Sequence, residues 1–171
     1  ISVTGILRAV FKNITHGGFS QGGSTITQQL VKNYFLNPEK TLKRKITEIA
    51  MAVLLETHAT KDDIIETYIN EIYMGQNGPF QIRGFATASN YYFSKDLAEL
   101  NLAECAMLAA VLNSPGLYSP FTKVENATKR RSLVLNKMME LNFVSADEVA
   151  VADKYPLPKS PQKVLSDPAP F

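Results

Sequence analysis

Apolar residues recur at three- and four-residue steps along much of this chain, and no stretch alternates apolar with polar for more than a few residues. That period belongs to the α-helix and rules out a sheet-built core, so the expected fold is all-α, mainly helical, with short irregular pieces. Leu42, Ile46, Ile49, Ala50, Val53 and Leu54 form one stripe. Ile64, Ile65, Tyr68, Ile69, Ile72 and Tyr73 form a second. Thr60-Lys61-Asp62-Asp63 fits a capping box ahead of it, with acidic residues in the first turn where the helix dipole favours them. Gly75 is expected to stop that helix. Asn101-Leu102-Ala103-Glu104 opens a more apolar helix running to about Leu112, ended by Pro115-Gly116. Its small residues imply close packing at the centre of the domain. Ser145-Ala146-Asp147-Glu148 caps a short helix near the C-terminus.

Two segments break the helical pattern. His16-Gly17-Gly18-Phe19-Ser20-Gln21-Gly22-Gly23 carries four of the nine glycines and reads as a loop. Residues 156–171 hold five of the nine prolines and read as an extended connector. The domain expected from these signals covers residues 1–155, and 171 residues are too few to suggest two domains.

Composition narrows the function classes. Apolar residues make up 45% and charged residues 20%, an ordinary globular balance, and a net charge of +2 gives no field that would recruit nucleic acid. The single cysteine, Cys105, forms no intrachain disulfide and is expected as a small buried hydrophobe. The longest nearly uninterrupted apolar run, Ile49 to Leu55, is far short of the roughly 20 residues that span a bilayer. No signal peptide opens the chain, and the lack of a starting Met leads to the expectation of a longer parent that carries any anchor.

The chemistry concentrates early. In Gly22-Gly23-Ser24-Thr25-Ile26-Thr27-Gln28-Gln29-Leu30-Val31-Lys32-Asn33, a glycine pair and two hydroxyl residues start a helix whose free backbone N–H groups can hold an anion. Ser24, Gln28, Gln29 and Lys32 follow at helical spacing. A capped surface helix explains Ser24 and the glycines but leaves the adjacent glutamines without structural work. Next, Lys40, Lys43, Arg44 and Lys45 fall within six positions, a run that by itself is most simply a solvated face. Arg44 and Glu48 are four apart and Lys45 is three from Glu48, so they share a face. As surface pairs these are worth about 0.3–0.5 kcal/mol each. As a site they set two cations beside one carboxylate, which suits a diphosphate leaving group or a divalent ion bridging to phosphate.

Two further blocks follow in order: residues 61–75, Lys61-Asp62-Asp63-Ile64-Ile65-Glu66-Thr67-Tyr68-Ile69-Asn70-Glu71-Ile72-Tyr73-Met74-Gly75, and Arg83-Gly84-Phe85-Ala86-Thr87-Ala88-Ser89-Asn90-Tyr91-Tyr92-Phe93. With Gly22 to Leu30 and Arg44 to Ile49, they resemble four of the five sequence blocks of the peptidoglycan glycosyltransferase family. That family, glycosyltransferase family 51, occurs in class A penicillin-binding proteins and monofunctional transglycosylases. The resemblance runs from the first residue to about Pro120.

The resemblance implies a lysozyme-like helical fold lying against a membrane interface, on the outer face of the bacterial cytoplasmic membrane. It implies lipid II, a disaccharide-pentapeptide on undecaprenyl diphosphate, as substrate and a growing glycan strand as partner. Cell-wall synthesis proteins are further partners it suggests, and nucleic acid is not one. The acceptor 4-hydroxyl attacks the anomeric carbon of the growing chain and expels lipid diphosphate with inversion. That step needs a base and positive charge for the leaving group. Position by position, Glu48 matches the second catalytic carboxylate, Arg44 and Lys45 the diphosphate contacts, and Lys32 a cation on the neighbouring helix. Ser24, Gln28 and Gln29 match polar donor-site positions, and Tyr73 an aromatic that belongs to the cleft or to the core. Asn70 and Arg83 match bracing positions. Lys40 stands where many relatives have Arg, which makes a phosphate contact there less directional. No cofactor is obligatory, with Mg²⁺ or Mn²⁺ on Glu48 as the metal option.

The family's first block carries the catalytic base, a glutamate, and is missing. Ile1-Ser2-Val3-Thr4-Gly5-Ile6-Leu7-Arg8-Ala9 resembles the stretch just after it, so this chain alone is expected to lack activity. The Gly-rich loop is equally readable as a substrate lid or a long connection. Phe11 and Tyr34-Phe35-Leu36 are readable as membrane-dipping or as core. The Pro-rich tail suggests an exit towards a transpeptidase. Two rival readings stand: a lysozyme or lytic-transglycosylase hydrolase, and a non-catalytic lipid II binding module. The hydrolase needs a protonated acid in an apolar setting. Glu48 has cations for neighbours instead, which favours diphosphate departure.

Overall fold

A computed structural model describes residues 24–35 and 41–161. The Gly-rich segment through Gly22-Gly23, Phe11, Leu36, Lys40 and the tail from residue 162 lie outside the described residues. Among the described residues the protein is mainly helical, with seven α-helices and one two-stranded hairpin. The chain divides into two compact units, Ile1–Tyr68 and Ile69–Phe171.

The first unit contains α1 (Ile26–Phe35), α2 (Leu42–His58) and most of α3 (Lys61–Glu71). Each helix starts where a hydroxyl meets orphan backbone N–H groups. The Thr25 hydroxyl accepts from the Gln28 N–H at 3.2 Å and the Thr41 hydroxyl from the Arg44 N–H at 3.1 Å. At α3 the expected capping box forms: the Thr60 hydroxyl accepts from the Asp63 N–H while the Asp63 carboxylate accepts from the Thr60 N–H. The Thr60 hydroxyl also donates to the Asp63 carboxylate at 2.6 Å, and that bond, with the one from the Thr60 N–H, holds the carboxyl below its ordinary range. The buried apolar residues here are Leu30, Val31, Ala52, Ile64 and Tyr68.

The apolar stripe of α2 is not its inward face. Leu42 and Ile46 are each 69% exposed and Val53 and Leu54 are also outside, whereas Glu48 and Ala52 are buried. Glu48 stands two residues, or about 200°, round the helix from Ile46, so one orientation cannot bury both. Here a carboxylate faces in and much of the hydrocarbon faces out.

The second unit begins with a departure from the helical reading. α3 ends at Glu71, and Tyr73–Asn77 (β1) pairs antiparallel with Phe80–Arg83 (β2) through a turn at Gly78-Pro79. Gly75 is a strand residue at φ +143°, not a helix stop, and Tyr73 sits on the strand. The Asn77-Gly78 pair is a hairpin signal, and it overrides the three-four spacing that carried the stripe to Tyr73. The Tyr92 hydroxyl donates to the Met74 carbonyl at 2.9 Å, and a Cβ on Gly75 would lie 2.8 Å from the Tyr92 hydroxyl oxygen. Burial pushes the Tyr92 phenol above its ordinary value, with Tyr91 and Tyr73 adding to the shift.

Then come α4 (Phe85–Phe93), a short 3₁₀ turn (Leu97–Glu99), α5 (Leu102–Asn113), α6 (Val124–Glu140) and α7 (Ala146–Asp153). α5 is the buried helix its sequence implied, with Ala103, Ala106, Met107, Leu108, Ala110 and Val111 inside. Ala103 and Ala106 let Leu135 of α6 and Ala152 of α7 approach closely. Cys105 turns outward and is exposed, contrary to its expected burial, because its neighbours Ala103 and Ala106 take the inward positions. α6 has too little hydrocarbon to announce itself: its inward line is Ala127, Arg131 and Leu135. The Arg131 guanidinium donates to the carbonyls of Tyr155 at 2.8 Å and Asp153 at 2.9 Å, fastening the end of α7. Residues 156–161 form no helix or strand.

Candidate functional site

The inward polar residues of α2 meet the start of α1. Glu48 is 1% exposed, and an isolated carboxylate at that depth would carry a large desolvation cost. It is not isolated. Arg44 Nη1 donates to Glu48 Oε2 at 3.2 Å, and Lys45 Nζ donates to Glu48 Oε1. Lys45 Nζ also donates to Ser24 Oγ at 2.8 Å, across 21 residues of sequence. Four side chains, three on α2 and one from the residue before the α1 cap, form one network. A view of these residues as surface ion pairs fails on burial, since both cations reach a carboxylate that solvent does not.

The cations keep capacity for a ligand. Lys45 ammonium has three N–H groups, of which Ser24 and Glu48 take two. Among the described residues Arg44 Nε is buried with no hydrogen-bond partner, as are Arg130 and Arg131 Nε in the second unit. A buried, unpaired guanidinium N–H is costly, on the order of 1–3 kcal/mol, and an anion is the partner that relieves it best. The remaining donors of Arg44 and Lys45 can hold an oxyanion, with Glu48 fixing the two cations rather than meeting the anion itself. Both Glu48 oxygens already accept from cations. Among the described residues no group of three or more His, Cys, Asp or Glu side chains gathers to hold a metal. A divalent ion at Glu48 would need phosphate oxygens and water for most of its ligands.

The helix start differs from the sequence reading in one detail. Thr25, not Ser24, caps α1, which frees the Ser24 hydroxyl for Lys45. Of the two glutamines, Gln28 is buried and Gln29 is tied down: its Oε1 accepts from the Tyr68 hydroxyl at 3.0 Å. Lys32 is exposed on the last turn of α1. Tyr73 stands on the second unit, on β1 and 36% exposed, so it is not core. Arg83 braces as expected, with Nη1 reaching the Glu71 carbonyl at the end of α3 at 3.5 Å.

Thr27, Glu56 and Tyr68 escaped the sequence reading. The Thr27 hydroxyl donates to Glu56 Oε1 at 2.6 Å, joining α1 to α2. Nothing in a 29-residue separation announces this pair, although an acid near the end of α2 on the Glu48 side was a hint. Beside these helices lies an apolar notch of about 210 Å³, lined by Leu30, Tyr34, Phe35, Leu55, Ala59 and Ile64 among others.

The family model described as Transglycosylase matches residues 1–139. Penicillin-binding protein 1B of Haemophilus influenzae is 44% identical over 157 residues, covering 92% of this chain and 20% of that protein. Penicillin-binding protein 1B of Vibrio cholerae is 42% identical over 173 residues, covering 100% of this chain and 22% of its own length. The Escherichia coli K12 protein of that name is 39% identical over 170 residues, covering 99% and 20%. This chain thus spans about a fifth of the curated relatives it matches. A crystal structure of penicillin-binding protein 1A from Haemophilus influenzae aligns with a TM-score of 0.56 at 25% identity, covering 81% of this chain and 17% of that one.

Proposed function

The chain belongs to the transglycosylase family of the class A penicillin-binding proteins, and from that premise we propose that its domain polymerises lipid II into glycan strands. The observation that carries this reading is the buried Glu48 clamping Arg44 and Lys45, with Lys45 bridged to Ser24 and Arg44 Nε left unpaired. The acceptor 4-hydroxyl attacks the anomeric carbon from the face opposite the diphosphate. A C–O bond forms, the bond to the diphosphate oxygen breaks, and that oxygen leaves with the electron pair. Inversion follows from this single displacement. Arg44 and Lys45 stabilise the charge that develops on the departing diphosphate, where fixed donors are most effective. Gln28, Gln29 and Lys32 match the family's donor-side positions, and Tyr73 matches an aromatic of its cleft.

The proton of the attacking hydroxyl goes to a base, which the family resemblance places upstream of the Gly-Gly-Ser block. The first acidic residue of the chain is Glu39, downstream of the whole Gly-Gly-Ser block. That observation favours a second reading for the chain by itself, namely binding of lipid II without turnover.

The exposed hydrocarbon of the first unit supports placement at a membrane. Fully burying a Leu or Ile side chain contributes about 1.5–3 kcal/mol, so Leu42, Ile46 and Leu54 in water forgo several kcal/mol between them. A bilayer interface on the outer face of the cytoplasmic membrane recovers that stabilisation. Tyr34 and Phe35 of α1 are also exposed and offer further aromatic surface to such an interface. No described helix is long and apolar enough to cross the membrane. A transpeptidase beyond the Pro-rich residues is the further domain this reading expects.

The test joins the family's upstream block to this chain and assays labelled lipid II. Long strands from that protein, few from its Glu48→Gln variant, and binding without strands from the 171 residues alone are expected. Binding without strands when the base is present would replace the enzyme reading with the binding module.

A further inference from the structure

The α1–α2 contact carries a polar pair that the reaction itself does not call for. Thr27 lies one turn after Ser24, is buried, and gives its hydroxyl to Glu56 Oε1 at 2.6 Å, the length of a charge-assisted O–H···O⁻ bond. Glu56 lies eight residues beyond Glu48, about 12 Å along the helix and well away from the cations. A valine and a leucine would fill this contact without desolvating a carboxylate, so the pair is poor design for adhesion alone. Its geometry does something an apolar contact cannot: it fixes one register of α1 along α2. One helical turn separates Thr27 from Ser24, so any slide at Thr27 is carried directly to the hydroxyl that holds Lys45 Nζ.

We propose that Thr27 and Glu56 are positioning residues for the diphosphate site, holding Ser24 where it aims the Lys45 ammonium at the leaving group. This rests on the reading of Arg44 and Lys45 as the diphosphate contacts. Neither residue touches substrate. Their effect is on how Lys45 is presented: with the pair intact, Ser24 and Glu48 each take one ammonium N–H and the third points in a fixed direction. Without it, Ser24 leaves the ammonium, which is then held by Glu48 alone and swings. Tyr68, which donates to Gln29 at 3.0 Å, ties α1 to α3, a different helix, and so leaves the register of α1 along α2 to the Thr27 pair.

The experiment titrates inorganic pyrophosphate into the full 171-residue chain by calorimetry, with thermal unfolding measured in parallel. Thr27→Val keeps shape and removes the hydroxyl, and it should weaken pyrophosphate binding about fivefold. Thr27→Ser keeps the hydroxyl and should bind within about twofold of wild type. That rescue separates register from bulk, because a merely structural role would lower the unfolding temperature without changing the affinity of the folded protein. Should Thr27→Val fail to fold, Glu56→Gln keeps the shape and the accepting oxygen, and it should weaken binding about threefold. Arg44→Ala serves as the control. If Arg44→Ala weakens binding while Thr27→Val and Glu56→Gln do not, the positioning role is overturned and the site stands. If Arg44→Ala is also silent, the site and the positioning role fall together.

Discussion

In the second unit α5 turns Ala103, Ala106, Met107, Leu108, Ala110 and Val111 inward, whereas in the first unit α2 turns Glu48 inward and leaves Leu42, Ile46, Val53 and Leu54 outside. Each arrangement follows from what its helix has to do. α5 packs close neighbours through small side chains and hydrocarbon, and its one buried carboxylate, Glu104, serves the fold by accepting from the Asn101 N–H at the helix start and pairing with Lys95. On α2 the burial rule is violated twice, once by a hidden carboxylate and once by exposed leucine and isoleucine. Conflicts of this kind concentrate where function outweighs stability. The second unit is the part built for stability.

The largest effect that can sharpen this contrast is in the second unit. Gly84 has φ +75°, and a Cβ there would sit 2.3 Å from the Asn70 carbonyl oxygen. Gly84→Ala should cost about 3 kcal/mol or more in urea unfolding, since backbone must move on both counts. Leu135 is fully buried against Ala103 and Ala106. Leu135→Ala should cost about 2–5 kcal/mol, read as a shift in the urea midpoint. Substituting hydrocarbon in the first unit should do almost nothing to stability. Leu42→Ser with Ile46→Ser should stay within about 0.5 kcal/mol of wild type, yet bind phospholipid vesicles more weakly. A loss as large as that of Leu135→Ala would erase the distinction between the units.

The smallest effect is one of pH. The Thr60 bonds lower the carboxyl pKa of Asp63 from its ordinary 3.8. A carboxyl depressed in the folded state stabilises above its unfolded value, and that stability is lost as pH falls through the lower folded value. Asp63→Asn should therefore unfold slightly more easily than wild type at neutral pH, with the gap closing below pH 3.8 in thermal melts.

The same contrast explains what the sequence disclosed. α5 and the caps at Thr60, Asn101 and Ser145 were legible because local propensity and burial agree there. Arg44, Lys45 and Glu48 were legible as a set because helix spacing alone brings them together. The inward face of α2 was not, because periodicity reports a stripe of hydrocarbon and does not say what will cover it. α6 was missed because Arg131 and Ala127 occupy inward positions where a stripe needs large apolar residues. The hairpin was missed because Ile72 and Tyr73 continued a helical stripe past the true helix end at Glu71. Ser24, Thr27 and Tyr68 act through partners 21 to 39 residues away, and spacing carries no information at that range.

The central claim is that the charged cluster of the first unit serves the diphosphate and not the fold. Thermal unfolding of the triple variant Arg44→Met, Lys45→Met, Glu48→Leu tests it most directly. Replacing a buried ion network as a unit by hydrocarbon of similar volume is commonly neutral or stabilising. The account predicts an unfolding temperature equal to wild type or higher, with pyrophosphate binding abolished. A variant that unfolds well below wild type would show that the cluster holds the helices together, and the assignment of a diphosphate site would lose its support.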